Sequence, residues 1–346
     1  MATEPATDLA FGGPEVYEEE ARRERVAGLS PWRLALRRLK RNHTAIAFGV
    51  LFIVVVAICL AAPLWANGPA GTDPYKNHLT QQIVIDGKKK NVVSFEGVPI
   101  GPTWHGKFFL GADPNGRDTM VRLLYGGRNS LLIGVSAAII TALLSVFLGI
   151  LAGFLRGFTD TAISRSLDVI WAFPVILLGV ALGTALSLNG LDLGPIAVSA
   201  DSKLIPILII AVVYVPYMAR PIRGQVLALR EKEFVEAARA QGASPLRIMG
   251  SEVLPNLSST VIVFFPLMVA NAILLEAALG FLGVGVRPPE PSWGTMIGDG
   301  VKHILAGPHL AIVPGAMLVI TVLALNVFGD GVRDAFDPRA TIHLEH

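Results

Sequence analysis

Residues Glu233–Asn256 have the sequence EFVEAARAQGASPLRIMGSEVLPN, a polar segment rich in small residues that lies between two apolar blocks. Its first part consists of good helix formers, and Gly242 stands where a helix would end in a left-handed cap. Ser244 and Pro245 suit the N-cap and the first position of a second helix, and Leu254-Pro255 is expected to end that helix. The segment therefore predicts two short helices that project from a membrane domain into water.

The first of these helices carries a surface of small side chains with charges beside it. Alanine and glycine let the backbone of a partner come close, while Glu236 and Arg239 supply the flanking charges. We therefore expect a partner to dock on this segment. The candidate docking residues are Phe234, Glu236, Ala237, Ala238, Arg239, Ala240, Gly242, Ala243, Ser244, Leu254 and Pro255.

The composition is that of a membrane protein. Of the 346 residues, 52% are hydrophobic and only 16% are charged, whereas an ordinary soluble domain has about 25% charged residues. The mean hydropathy is +0.56. The one cysteine, Cys59, lies in an apolar run, so neither a disulfide framework nor a thiolate metal cluster is expected.

Six apolar stretches are predicted to cross the bilayer, which takes about 20 residues each. An even number of spans puts both termini on one side. With that side inside, 18 of the 29 Lys and Arg residues are cytoplasmic and 11 are outside, a bias that also places Glu233–Asn256 in the cytoplasm. The predicted spans are about Thr44–Trp65, Ser130–Leu155, Leu167–Leu186, Leu204–Met218, Leu257–Leu282 and Leu310–Phe328.

The spans divide the chain into tails, an outer insertion and a helical core. In the N-terminal tail, Ser30–Asn42 combines Trp and Leu with Arg and Lys, which suits an amphipathic helix on anionic lipid rather than a nucleic-acid patch. In the insertion, Gln82–Ile85 and Val92–Phe95 are predicted to pair as a β-hairpin around Asp86-Gly87 and a lysine run. The predicted segments are the cytoplasmic tail 1–43, the first helix 44–65, the extracytoplasmic insertion 66–128, the five-helix core 129–330 with its cytoplasmic loop 220–256, and the cytoplasmic tail 331–346.

One stretch only partly fits a nucleotide-binding loop. Gly101–Lys107, GPTWHGK, matches the first seven positions of a P-loop, but Phe108 replaces the hydroxyl residue that would ligate magnesium. No clear apolar strand precedes it, and the predicted topology puts it outside the cell. The chain is therefore not expected to be an ATPase. Its histidines are scattered, and the nearby pair His343 and His346 lies in the terminal tail, so no metal site is predicted.

Ionisable residues inside membrane spans are candidates for function. Only Glu276 lies well inside a predicted span, and Asp168 lies near the start of another. A carrier driven by protons or sodium usually has more intramembrane carboxylates, or broken helices at the midplane, so a secondary carrier is the less favoured alternative. Glu276 is predicted to be a structural hydrogen-bond partner of a neighbouring helix, and a gating role is the alternative.

Four motifs, in order along the chain, resemble those of one family. Phe109–Leu131, FLGADPNGRDTMVRLLYGGRNSL, is similar to its FLGTDxxGRDxxSRxxYGxRxSL signature, and EAARAQGASPLRI followed by LPN resembles its EAA loop. Leu274–Ile297, LLEAALGFLGVGVRPPEPSWGTMI, and Asn326–Arg339, NVFGDGVRDAFDPR, are similar to its ExxLSFLGLGxxPPxPSWG and NxxGDxLRDxLDPR segments. The chain is thus identified as resembling the permeases of oligopeptide- and dipeptide-type ABC importers, specifically their C-type subunit.

The resemblance implies an all-α membrane protein with six transmembrane helices in the type I importer permease fold, in which the segment within 220–256 is the coupling loop. It implies a homologous B-type permease, two cytoplasmic ABC ATPases that bind ATP and Mg, and an extracytoplasmic substrate-binding protein as partners. The chain itself would bind no cofactor and catalyse no covalent chemistry. The implied location is the bacterial inner membrane, with both termini cytoplasmic. The implied cargo is peptides, and nickel chelates, glutathione and oligosaccharides stay open as alternatives.

Overall fold

A computed structural model of the protein describes residues 31–337 apart from Asp86, Leu193, Pro195 and Ile196. The predictions for the tail before residue 31 and for the terminal histidines lie outside the described residues. The helices are α1 Pro31–Arg41, α2 His43–Leu60, α3 Ala62–Trp65, α4 Thr119–Leu155, α5 Gly157–Trp171, α6 Val175–Asn189, α7 Leu204–Arg230, α8 Glu233–Ala240, α9 Pro245–Ile248, α10 Leu254–Phe281, α11 Trp293–Lys302 and α12 His309–Phe336. The strands are β1 Gln82–Ile85, β2 Lys88–Asn91, β3 Leu191–Asp192 and β4 Ala197–Val198, and π-helical turns cover Ala66–Ala70 and Met249–Val253.

Among the described residues, five helical stretches are long and apolar enough to cross a membrane, and the pair α5–α6 makes a sixth if it is counted as one broken span. These helices confirm the predicted all-α membrane fold. The prediction of one continuous span over Leu167–Leu186 is wrong, because α5 and α6 meet at 90°. Pro174 explains the break, since it has no N–H to donate and disfavours helical geometry in Phe173.

Helices α4 and α7 form the centre of the bundle. A Cβ on Gly149 would lie 2.6 Å from Ile222 Cγ2, and one on Gly153 would lie 2.7 Å from Val226 Cβ. The hydroxyl of Ser145 donates across the same contact to the carbonyl of Val215 at 3.1 Å. Small and hydroxylated residues of this kind let membrane helices approach closely. Helix α10 packs beside this pair, and α12 joins α10 to α2 and α11.

The segment between α3 and α4, which we call the outer segment after its predicted side of the membrane, has its own small core, made of Val92, Val93, Phe108 and Ala112. The predicted hairpin exists, with Gln82 paired to Asn91 and Ile85 paired to Lys88. The predicted second strand was wrong, because the lysine run itself forms β2 and Val92 and Val93 turn into the core. The short connection between Ile85 and Lys88 explains this register, since Gly87 has a φ of +75° that glycine adopts easily.

Two buried polar residues attach this outer segment to α4. Asp118 caps α4 by accepting from the N–H groups of Met120 at 3.0 Å and Val121 at 3.2 Å. Its second oxygen accepts from Phe108 N–H at 2.7 Å. Arg122 donates to the carbonyl oxygens of Pro74 at 3.0 Å and Pro289 at 3.2 Å. The outer segment and the connection before α11 are therefore held on the same helix.

Helix α1 packs on the end of α12. The rings of Trp32 and Phe336 meet edge to face at 5.2 Å, and Arg38 donates to the carbonyl of Asp337 at 2.8 Å. Leu36 and the cations Arg33, Arg37, Lys40 and Arg41 are exposed. The helix at this position agrees with the amphipathic segment in the sequence, and its role on anionic lipid stays a prediction.

Candidate functional site

The exposed segment between α7 and α10 begins with α8, which ends in a Schellman cap. The N–H of Ala243 donates to the carbonyl of Ala238 at 3.0 Å, and the N–H of Gly242 donates to that of Arg239 at 2.9 Å. Gly242 has a φ of +79°, which a residue with a side chain adopts only at a cost. The helix end at Gly242 is therefore where the sequence predicts it, for the predicted reason.

The second helix begins as predicted but does not end as predicted. Ser244 is the N-cap of α9 and accepts from Arg247 N–H at 3.4 Å, with Pro245 at the first turn. Leu254-Pro255 does not end the helix, because α9, the π-helical turn Met249–Val253 and α10 form one helical stretch from Pro245 to Phe281. The wide turn accommodates a proline that lacks an N–H, and the Asn256 side chain donates to the carbonyl of Glu252 at 2.6 Å.

We call the exposed side of this segment the docking face. Its residues share exposure to solvent, while Val235 and Ile248 beneath it are buried in the main core. Two predicted members differ, since Ala238 and Ala243 are half-buried and pack inward against that core. A Cβ on Gly242 would meet nothing within 4 Å, so a partner has free access to this point. The docking face consists of Phe234, Glu236, Ala237, Arg239, Ala240, Gly242, Ser244, Leu254 and Pro255.

The docking face is fastened to the end of α4. Arg230, the last residue of α7, donates to the carbonyl of Phe154 at 2.6 Å. Arg156 pairs with Glu231 at 2.7 Å, and the guanidinium of Arg239 lies 5.6 Å from the centre of the Phe154 ring. Val235 of α8 is also fully buried, so α8 is attached to the bundle through a buried side chain as well as through these contacts with the end of α4.

The two carboxylates singled out in the sequence lie apart from the docking face. Asp168 of α5 is half-exposed and pairs with Arg220 at 2.7 Å and with Arg165 at 3.5 Å. Glu276 of α10 is fully buried, with the hydroxyls of Ser130 and Ser292 within interaction range. Among the described residues, neither Glu276 oxygen has a partner at hydrogen-bond geometry. Asp168 is therefore part of a half-exposed ion pair, whereas Glu276 is a buried acid.

Sequence reasoning missed the polar group on α7. Tyr214, Tyr217 and Arg220 recur every third residue inside an apolar run, and this spacing puts them near one another on a helix. The spacing of these three residues could therefore have been recognised in the sequence. Their neighbour Trp171 could not, because it comes from α5, which reaches α7 through the bend that the sequence does not predict. The apolar helices of the bundle place the chain in the class of multi-pass membrane proteins.

Comparisons with known proteins specify the family. Residues 145–342 match the family described as the binding-protein-dependent transport system inner membrane component, and residues 30–83 match the N-terminal transmembrane domain of oligopeptide transport permease C. The chain belongs to this family of binding-protein-dependent permeases. It is a permease subunit of an ABC importer, a machine that also contains ATPase and binding-protein components.

Individual relatives support this assignment over nearly the whole chain. The glutathione transport system permease protein GsiD of Salmonella typhimurium is 36% identical over 310 residues, which are 90% of this chain and 91% of that protein. The dipeptide transport system permease protein DppC of Alkalihalophilus pseudofirmus is 34% identical over 339 residues, 98% and 99% of the two chains. A solved structure of the inward-facing MetNI methionine ABC transporter has a TM-score of 0.50 at 20% identity, covering 63% of this chain and 97% of that one, and it shows the fold alone.

Proposed function

We propose that this chain is the C-type permease of an importer for peptides and forms half of the translocation path. The relatives that support this cargo are named for glutathione and for dipeptides, which are both short peptides with free carboxylates. Nickel chelates and oligosaccharides have no such support among these relatives. The chain carries out no covalent chemistry in this proposal, and ATP and Mg are bound by its ATPase partners.

The other half of the path is a homologous B-type permease, and two cytoplasmic ATPases and an extracytoplasmic binding protein complete the assembly. The bias of Lys and Arg supports cytoplasmic termini and a cytoplasmic docking face. The cationic helix α1 then lies at the inner surface of a bacterial inner membrane, where anionic lipid attracts it. The outer segment lies on the side from which the binding protein delivers its cargo.

The observation that carries the proposal is the docking face around Gly242, which is open to a partner and fastened to the bundle. ATP binding closes the ATPase pair and draws the docking faces of the two permeases together. Because α8 is fixed to the ends of α4 and α7, this motion turns helices rather than bending a loop. The bundle then opens outward to receive the peptide, and hydrolysis resets it.

A substitution at Gly242 tests this coupling. Gly242→Arg places a long side chain on the docking face, so we expect ATP-driven peptide uptake to fall at least tenfold while the permease still inserts into the membrane. Gly242→Ala is the control, since it carries the same cost of a positive φ, roughly 1–2 kcal/mol, but adds only a methyl group in open space. Uptake and coupled ATPase activity are measured in proteoliposomes that contain the assembled transporter.

Two results would count against the proposal. Unchanged uptake with Gly242→Arg would show that this face does not transmit force. Uptake by the permease without any ATPase, driven by an ion gradient, would support the alternative of a secondary carrier. Competition between a labelled dipeptide and glutathione then shows which of these two peptides the assembled transporter prefers.

A further inference from the structure

Helix α2 lies at the edge of the bundle. Among the described residues it is the least buried of the five long apolar helices. Its buried side contains small residues that let a neighbour approach closely, and a Cβ on Gly49 would lie 2.8 Å from Phe328 Cδ2. The rest of its surface presents large aliphatic side chains such as Ile53 and Leu60, which are 64% and 63% exposed, and Leu64 of α3 is 76% exposed. Close packing between membrane helices uses small residues, so this exposed surface suits lipid.

The far end of this span is marked by Trp65. Arg41 is the last charged residue before the span, and Asp73 is the first one after it. Trp65 follows His43, the first residue of α2, by 22 positions, about 33 Å at 1.5 Å per residue. The hydrocarbon layer is about 30 Å thick. With Arg41 at one surface of the membrane, Trp65 therefore lies near the opposite boundary of the hydrocarbon.

The outer segment contacts this end of the span at two points. A Cβ on Gly106 would lie 2.1 Å from the carbonyl oxygen of Pro69, so the two backbones meet where only glycine fits. The ring of Phe109 meets the ring of Trp65 edge to face at 5.9 Å and that of Trp104 at 5.5 Å. Trp104 is thus separated from Trp65 by one ring, and it lies close to the boundary that Trp65 marks.

The loop Gly101–Lys107, which partly matches a nucleotide-binding loop, holds this indole outward. The hydroxyl of Thr103 donates to the carbonyl of Phe108 at 2.9 Å, and the N–H of Trp104 donates to that of Phe109 at 3.2 Å. Trp104 has a φ of +57°, which is uncommon for a bulky residue, and it is 66% exposed. The loop therefore keeps a large, mostly uncovered ring in a costly backbone conformation.

We propose that the loop Gly101–Lys107 is a membrane-contact site, in which Trp104 inserts its indole into the phospholipid headgroup layer and anchors the outer segment there. An indole has an apolar body and one N–H donor, and it is enriched where hydrocarbon meets water. The neighbouring surface at Leu60 and Leu64 suits the lipid chains just below that level. The outer segment then rests on the bilayer beside α2, whichever cargo the transporter carries.

The alternative occupants of this surface are the partner permease and the binding protein. A helix of the partner permease would have to pack on Leu60 and Leu64, whereas α2 approaches its own bundle closely at Gly49. A soluble binding protein would have to reach down to the hydrocarbon boundary beside these aliphatic side chains. Phospholipid meets neither difficulty.

Site-specific photocrosslinking identifies the occupant. In the assembled transporter, reconstituted in nanodiscs of tritium-labelled phosphatidylcholine, p-benzoylphenylalanine replaces Trp104. We expect tritium to become attached to this permease, as it should when the same group replaces Leu64, and not when it replaces the exposed Leu246 beside the docking face. Crosslinks from position 104 to the partner permease or to the binding protein would overturn the inference. So would the absence of any crosslink there while position 64 is labelled.

Tryptophan fluorescence tests the depth of the natural residue. Trp104→Phe keeps an aromatic ring in the same backbone conformation and removes only the indole, so the difference in emission between the unmodified transporter and this variant belongs to Trp104. We expect lipids brominated near the headgroup to lower that difference about twofold, and lipids brominated near the chain end to lower it less. A difference that neither lipid changes, or that the deeper bromine quenches more strongly, would overturn the placement of Trp104 in the headgroup layer.

Discussion

Glu276 lies fully buried on α10, beside the hydrogen bonds that hold the start of α11. The adjoining Ser130 accepts from the N–H of Trp293 at 3.1 Å, and Trp293 donates from its indole to the carbonyl of Leu123 at 3.1 Å. These bonds fix the start of α11 on α4, beside the acid on α10. Because a buried carboxyl without partners costs several kcal/mol, this arrangement favours a structural role in which Ser130 turns its hydroxyl hydrogen toward Glu276.

Glu276→Gln tests that role, since it keeps the shape and hydrogen-bonding capacity but removes the titratable group. We expect a loss in stability of about 1 kcal/mol and a transport rate per folded complex close to that of the unmodified protein. Thermal denaturation and uptake, measured on the same preparation, check both expectations. Glu276→Ala is the matched variant and should cost more, because it also leaves a cavity. A stable Glu276→Gln complex without transport would instead favour gating.

Among the helices, the caps that depend on adjacent residues were predictable from the sequence, and the bends were not. The cap at Gly242 and the start at Ser244 depend on a few adjacent residues, so the sequence specifies them directly. The break before Pro174 lies inside Val169–Gly183, which has no charged residue, so a prediction based on the length of an apolar run does not detect it. The turn Met249–Val253 likewise depends on how the chain absorbs Pro255. The bend and the wide turn both depend on how the helices pack, and packing cannot be read directly from a sequence pattern.

The close contact between α4 and α7 predicts that a larger residue at this contact will destabilise the permease. Gly153→Leu would force a large side chain against Val226 and against the carbonyl of Arg223, which a Cβ alone would approach to 2.9 Å. Overpacking of this kind typically costs about 1–3 kcal/mol, so we expect a lower yield of folded permease and a lower melting temperature. Gly315→Leu in α12 is the control, because a Cβ there meets nothing within 4 Å. Equal effects of the two substitutions would contradict the close-packing argument.

For the molecule as a whole, the proposed mechanism requires the docking face and the outer segment to lie on opposite sides of the membrane. The sequence supplies this orientation through its Lys and Arg bias, and the fold is consistent with it because the small core at Val92 and Phe108 and the docking face belong to different ends of the spans. Force applied at Gly242 then acts on helices that reach the other side. In an inverted orientation the docking face would lie outside the cell, where a cytoplasmic ATPase could not bind to it.

Cysteine labelling in intact cells tests this orientation with little background, because the natural Cys59 is fully buried. Phe95→Cys places a thiol on the outer segment at a fully exposed position, and Leu246→Cys places one beside the docking face at a position that is 78% exposed. A membrane-impermeant maleimide should label the first variant from outside and the second only after the membrane is opened. Lys40→Cys on the exposed side of α1 should behave like Leu246→Cys, since both are assigned to the cytoplasm. Labelling of Leu246→Cys from outside would contradict the orientation and, with it, any contact between this face and a cytoplasmic ATPase.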